Sequence, residues 1–231
     1  MTYTMNFNKQ KEEDLTEAFK IIDKTNIKQV CYTNQYGLDI ICIDLLSNDL
    51  ANELFKQLKN SVEYYDGELT KVRVFGKWHQ IPRQQSAYGD SGLHYKFSDV
   101  CLPAKEWIPP LLATKNLLSS ITGYDYNFVL INKYRNGSDH MGEHRDDEAE
   151  LDPNTPIASL TLGQRRPFIF KHVDSRKKCG DKKIEKHKIY LEHGSLLLMN
   201  PPTNKYWYHS LPVCKKAPGE RINLTFRKIT K

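Results

Sequence analysis

The sequence predicts a mainly β domain of the α+β class, a double-stranded β-helix (jelly roll) with helices from its N-terminal half packed outside. Three observations carry that expectation. Short apolar runs bounded by Gly and Pro recur through the second half of the chain, from Tyr126–Ile131 to Arg221–Arg227. Helical spacing of apolar residues is confined to the first half, after Ser47 and after Pro103. A length of 231 residues with ordinary apolar content suffices for one good core and a small appendage.

Residues 1–27 read as a polar extension, with Glu12, Glu13, Asp14 and Glu17 interleaved with Leu15, Ala18, Phe19, Ile21 and Ile22. The pattern suits a short amphipathic helix or a partly disordered arm, and a solvated arm is the simpler reading. Residues 28–231 then form a single domain. Ile40–Leu45 is apolar enough for a strand, and Ser47 can cap a helix in which Leu50, Leu54, Phe55 and Leu58 recur to about Asn60. Over residues 68–82, Val72 and Val74 alternate with Arg73 ahead of Phe75-Gly76, the pattern of a hairpin with a tight turn before Lys77-Trp78. On pattern alone Phe75 serves equally as an exposed apolar tip or as a core side chain.

Tyr88–Ser98 puts Tyr95 and Phe97 on one strand face, and polar Lys96 and Ser98 beside them suggest a cleft wall. Trp107, Ile108, Leu111, Leu112, Leu117 and Leu118 fit a helix that begins after the prolines of Pro103–Ser120. The jelly-roll core occupies residues 124–229. Its strands start with Tyr126–Ile131, which leads to Asn132 and Tyr134 on one face, and a turn follows at Asn136–Asp139. Ile157–Leu162, Pro167–Phe170, Ile189–Leu191, Ser195–Met199, Tyr206–Leu211 and Arg221–Arg227 complete the set.

A formal charge of +6 hints only mildly at a polyanionic partner, and its distribution is more telling. Arg165–Lys188 carries ten Lys and Arg against Asp174, Asp181 and Glu185, either a solvated loop or a phosphate-binding arm. Five Cys at 31, 42, 101, 179 and 214, with no close spacing, suggest neither a disulfide framework nor a Cys zinc site, and so a reducing compartment. No apolar run approaches the roughly 18 residues of a membrane span, and Met1–Asn6 lacks the blocks of a signal peptide. An intracellular protein without a membrane partner is expected.

Two segments carry chemistry. With residues 144–146 extended, His144 and Asp146 share one face and Arg145 leaves it. His209, in the aromatic run Tyr206–Leu211, supplies a second imidazole. Two His and one Asp on neighbouring strands make a facial triad, the ligand set that leaves positions open on non-haem Fe(II). His-x-Asp alone reads better as a surface ion pair or a capping pair, and His172-Val173-Asp174 is a second copy. That copy lies in the basic loop, with no Arg-bearing strand at the expected distance, and is rejected. In an extended Arg221–Arg227, the residues Arg221, Asn223, Thr225 and Arg227 face one way and Ile222, Leu224 and Phe226 the other. The apolar side can pack into a core, while two guanidinium forks with an amide and a hydroxyl suit a small dicarboxylate.

Taken in order, His144-x-Asp146, His209 and Arg221-x-Asn223-x-Thr225-x-Arg227 resemble the AlkB family of Fe(II)- and 2-oxoglutarate-dependent dioxygenases, most of all its DNA-repairing animal members. The resemblance runs from about Asp39 to Ile229 and takes in Phe75–Trp78, Tyr88–Asp90, Asn127–Asn132 and His209–Val213. It departs at Cys214, where Arg is expected, which puts one DNA-backbone contact in question.

The resemblance implies oxidative dealkylation of N-alkylated bases, of the 1-methyladenine and 3-methylcytosine type, in duplex DNA, with Fe(II), O2, 2-oxoglutarate and base flipping. It implies that His144, Asp146 and His209 are the metal ligands and catalytic centre. Asn132, Tyr134, Arg221, Asn223, Thr225 and Arg227 would bind 2-oxoglutarate, with Arg221 favoured for the distal carboxylate. Tyr95, Lys96, Phe97, Asp147 and Glu148 would line the base pocket, and Phe75, with Gly76 and Lys77, would fill the gap left by the flipped base from a DNA-binding hairpin. Arg83, Lys171, Arg176, Lys177, Lys178, Lys215 and Lys216 are expected at phosphates. The expected partner is double-stranded DNA with alkylated bases, the expected state a monomer, and the expected location the nucleus; a replication-clamp contact is not readable from the residues. The alternatives keep the chemistry on RNA or protein, or reduce the chain to a non-catalytic nucleic-acid-binding module, which leaves the Arg221–Arg227 face without a purpose.

Overall fold

Alternation along Arg221–Arg227 decides how this molecule is layered, and in the computed structural model both sides of that strand are buried. The structure describes residues 15–22, 27–74, 76–97, 100–176 and 184–230. In chain order the strands are β1 (Lys28–Gln35), β2 (Leu38–Asp44), β3 (Lys71–Val74), β4 (Lys77–Gln80), β5 (Gln84–Gly89), β6 (His94–Phe97), β7 (Val100–Pro103) and β8 (Phe128–Tyr134). They continue as β9 (Met141–His144), β10 (Ile157–Gly163), β11 (Arg166–His172), β12 (His187–Leu191), β13 (Ser195–Met199), β14 (Trp207–Leu211) and β15 (Arg221–Arg227). The helices are α1 (residues 15–20), α2 (Asn48–Ser61), α3 (Pro109–Thr122) and the single turn α4 (Thr203–Tyr206).

Seven strands form one sheet in the order β1-β2-β13-β10-β15-β8-β5, and four form a second in the order β12-β11-β14-β9. From β15, Ile222, Leu224 and Phe226 enter a core with Leu54 and Leu58 of α2 and Leu111, Leu117 and Leu118 of α3. The helices therefore cover one face of the large sheet. Its other face meets the small sheet through Leu38, Ile40, Ile157 and Leu197 on one side and Phe168, Phe170, Trp207 and Leu211 on the other. Two packed antiparallel sheets flanked by helices are the expected jelly-roll arrangement.

The helices start and stop where local chemistry asks. Ser47 Oγ accepts from the Leu50 amide at 3.4 Å, and Ala51, Leu54 and Leu58 form the buried stripe of α2. Instead of waiting until the prolines have passed, α3 begins on Pro109 and Pro110, whose missing amide hydrogens cost nothing in a first turn. It ends at Gly123, whose φ of 76° is a left-handed cap. The β3–β4 hairpin pairs Lys71 with Gln80 and Val74 with Lys77, apart from both large sheets.

Two expectations are corrected. The described end of the N-terminal extension is not a solvated arm, because Leu15 and Phe19, one helical turn apart, are buried in the helix-side core. Residues 1–14 lie outside the described residues. Cys31 and Cys42 form a disulfide, which their sequence separation of 11 had hidden. The register of the β1–β2 hairpin sets them directly opposite one another. Among the described residues, no helix is long and apolar enough to cross a membrane.

Phe226 is fully buried, stacked on Trp107 with ring centres 6.4 Å apart and edge-on to Tyr126 at 6.2 Å. Phe226→Ala is expected to cost about 3–5 kcal/mol. A urea titration reads this as a lowered midpoint, and a loss below about 1 kcal/mol would contradict the packing described.

Candidate active site

The inner face of the large sheet is polar where β8, β15 and β10 lie side by side. Register pairs Arg221 with Tyr134, Asn223 with Asn132 and Arg227 with Phe128 on one side of β15, and Asn223 with Thr161 and Thr225 with Ser159 on the other. β10 and β5 supply hydrogen bonds that these buried polar groups require. Arg221 Nη2 donates to Thr161 Oγ1 at 2.9 Å, and Asn223 Nδ2 donates to Ser159 Oγ at 2.9 Å and to the Leu160 carbonyl at 3.0 Å. Asn132 Oδ1 accepts from Arg83 Nε at 2.8 Å and from Gln85 Nε2 at 2.9 Å.

Opposite this face stand the two imidazoles. His209 in β14 pairs in register with His144 at the end of β9, and their ring centres are 4.2 Å apart. The strand stops at His144, so Asp146 belongs to the loop that follows rather than to an extended strand. Its carboxylate reaches the same point by that loop: one ligand-type atom each from His144, Asp146 and His209 lies within 4.8 Å of the others. His144 Nδ1 donates to the Gly142 carbonyl at 3.0 Å, leaving Nε2 with its lone pair, 3.5 Å from Asp146 Oδ1. Phe168 stacks against the His209 ring at 5.4 Å and fixes its plane.

Charge at the site is strongly constrained. Burial would raise the Asp146 pKa, yet Arg227, whose Nη2 donates to Asp146 Oδ2 at 2.6 Å, and the two imidazoles hold it well below the usual range. The same pair, with Tyr95 and Glu148, overcomes the effect of burial on Arg227 and raises its pKa. Burial first, then His144 and Arg227, push the His209 pKa down to about 3, so its ring is neutral and available as a ligand. Arg221 differs from Arg227. Burial pulls its pKa down to about 10 against the opposing pull of the Tyr134 phenol, and Nε and Nη1 have no hydrogen-bond partner among the described residues.

These groups line one cavity of about 600 Å³. Asn132, Tyr134, Arg221, Asn223, Thr225 and Arg227 are all in its wall, as are Tyr95, Lys96, Asp147 and Glu148. Tyr95 donates to Glu148 Oε1 at 2.5 Å, and burial followed by the Asp146 charge raises the Glu148 pKa. Asp147 is exposed and ion-paired to Arg145. Arg83, expected at a phosphate, instead turns inward to Asn132 and to the His140 carbonyl. Gly76 and Lys77 are exposed on the β3–β4 turn, outside the cavity wall, and Lys215 and Lys216 are exposed in the last loop. Lys171 is ion-paired with Glu143 at 3.3 Å. Phe75, Lys177, Lys178 and the side chains of Phe97 and Arg176 lie outside the described residues. His172-x-Asp174 recruits no third ligand: among the described residues only the first triad forms such a group.

Sequence reasoning missed Gln85, Ser159, Phe168 and Arg166. Ser159 and Thr161 alternate with Ala158, Leu160 and Leu162, the same signal that exposed the Arg221–Arg227 face. Chemically, two imidazoles and a carboxylate fit a divalent metal with open positions, and a buried guanidinium with free donors fits an anion beside it.

A family profile described as the 2OG-Fe(II) oxygenase superfamily matches residues 39–227. Human DNA oxidative demethylase ALKBH2 is 52% identical over 193 residues, 84% of this chain and 74% of that protein. Mouse DNA oxidative demethylase ALKBH2 is 53% identical over 179 residues, covering 78% and 75% respectively. The solved structure of OsALKBH1 superposes with a TM-score of 0.56 at 16% identity, over 86% of this chain and 100% of that one, a likeness of fold.

Arg227→Met would leave the Asp146 carboxylate buried without its cation. A loss of about 3 kcal/mol or more in denaturant stability at neutral pH is expected for the metal-free protein. An unchanged midpoint would mean that the pair does not hold the site together.

Proposed function

This chain belongs to the 2OG-Fe(II) oxygenase superfamily, and from that premise we propose that it is a DNA oxidative demethylase acting on N-alkylated bases in duplex DNA. One observation carries the reading: a single cavity holds both the His144, Asp146 and His209 ligand atoms and a buried Arg221 with two unpartnered nitrogens. The identity to human and mouse DNA oxidative demethylase ALKBH2 supports DNA as the substrate.

His144, Asp146 and His209 would hold Fe(II) as a facial triad. When bound, the iron with 2-oxoglutarate and O2 supplies a two-electron oxidation of an N-alkyl carbon, releasing succinate and CO2 and then the carbon as an aldehyde from the restored base. The remaining work falls to the chain. The Gly142 carbonyl holds His144 in the tautomer that offers Nε2. Arg227, already engaged by Asp146, orients that ligand, whereas Arg221 meets no such acid and takes the distal carboxylate of 2-oxoglutarate. Tyr134, Asn132, Asn223 and Thr225 complete that wall.

Tyr95, Lys96, Phe97, Asp147 and Glu148 form the base pocket, with the Tyr95–Glu148 hydrogen bond as a polar edge. An alkylated base reaches it only by leaving the stack, at a cost of a few kcal/mol that is smallest for lesions unable to pair. Phe75, between β3 and β4 with Gly76 and Lys77, takes the vacated place in the duplex. Lys171, Arg176, Lys177, Lys178, Lys215 and Lys216 contribute phosphate contacts that add affinity without reading sequence. The protein acts as a monomer in the nucleus, where its substrate is.

Asp146→Ala and His209→Ala are each expected to lower succinate release on 1-methyladenine DNA by a hundredfold or more, since losing even a group that only hydrogen-bonds a metal ligand costs about 10–100-fold. Turnover at the wild-type rate in either variant would refute the metal assignment. Phe75→Ala should reduce repair in duplex DNA about tenfold while sparing single strands, because only the duplex demands flipping. Equal losses on both substrates would remove the wedge role.

A further inference from the structure

Two buried guanidiniums flank the ring of Tyr134, a residue of the cavity wall. Arg221 and Arg166 place their guanidinium carbons 5.2 and 6.0 Å from the centre of the Tyr134 ring. Arg166 is fully buried and donates only to main-chain carbonyls: Asn136 at 3.2 Å, Asp139 at 2.9 Å and Pro212 at 2.8 Å. It makes no ion pair among the described residues. Burial lowers its pKa, the groups that offset this are Cys214, Tyr134 and Asp139, and the carboxylate among them, Asp139, is bound bidentately by Arg135, with both contacts at 2.8 Å. Carbonyls can be satisfied by a neutral donor, and a buried cation without a carboxylate is costly. The charge therefore calls for an anion nearby; Arg166 has one unpartnered nitrogen, Nε, and Arg221 has two, in the cavity wall where an anion can bind.

We propose that Arg166 is a positioning residue for the distal carboxylate of 2-oxoglutarate: buried beside Tyr134, it adds a second positive charge behind Arg221. The proposal rests on the reading of Arg221 given above. An anion on Arg221 feels both cations, in a site whose burial weakens screening by salt. Burial and the like charge of Arg166 both depress the Arg221 pKa, and a bound carboxylate relieves both. Arg166 also has a plainly structural duty. Its carbonyl partners join the turn before β9 to the end of β14, where a Cβ on Gly137 would fall 1.9 Å from the Cys214 carbonyl oxygen. A test must separate the two roles.

Calorimetric titration of the Mn(II)-loaded, oxygen-free full chain with 2-oxoglutarate, and separately with 2-oxobutyrate, which lacks the distal carboxylate, does so. Arg166→Gln is expected to weaken 2-oxoglutarate about tenfold and to leave 2-oxobutyrate within about twofold. Arg166→Lys, which keeps the charge and loses the fork, should hold 2-oxoglutarate within about threefold of wild type. Unchanged 2-oxoglutarate affinity in Arg166→Gln, equal weakening of both ligands, or a Lys variant as weak as the Gln variant overturns the proposal. If Arg166→Gln does not fold, Arg166→Met supplies the neutral side chain, since apolar replacement of a buried charge is often tolerated. A wild-type protein that fails to bind 2-oxoglutarate removes the functional reading itself, and the proposal with it.

Discussion

The buried pair of Asp146 and Arg227 is the constraint on which the site depends. It ties the loop after β9, in the small sheet, to β15, in the large one, across 2.6 Å. Neither charge is tolerable there alone, because each has lost its water. The pair therefore brings the carboxylate to the imidazoles as a consequence of folding, before any ion arrives. That arrangement also explains why a loop residue can serve where a strand residue was expected. The strand ends at His144, and the guanidinium, not the pleat, decides where Asp146 goes.

Around that pair, β15 works on both faces. Its Ile, Leu and Phe side chains fix the helices, and its Arg, Asn and Thr side chains furnish the cavity. A polar face inside a sandwich is stable only when each group finds a partner, and here most do, through Ser159, Thr161 and the Leu160 carbonyl. The nitrogens left over on Arg221 and Arg227 belong to residues that line the same cavity as the His144, Asp146 and His209 cluster.

Much of this was legible from residue order. The period of two along Arg221–Arg227 separated the cavity-lining side chains from the helix-side core, and the stripe after Ser47 located α2 within a residue or two. What escaped was tertiary. Arg166 was counted within a basic run, and nothing in that run distinguishes a solvated Arg from one enclosed among carbonyls. Arg83 read as a phosphate contact because charge suggests a surface, whereas its partner Asn132 lies 49 residues away. The Cys31–Cys42 bond follows from hairpin register, which spacing alone does not reveal.

The two imidazoles come from strands of unequal mechanical support. His209 belongs to β14, hydrogen-bonded on both sides by β11 and β9, whereas His144 ends β9, the outermost strand of its sheet. The cavity-lining strand β15 is likewise held from both sides, by β10 and β8. The centre thus has a stiff wall and a compliant one, and Asp147 and Glu148 extend from the compliant side. A fold built this way can hold one wall of its cavity in a fixed posture while the opposite rim yields to the shape of what enters.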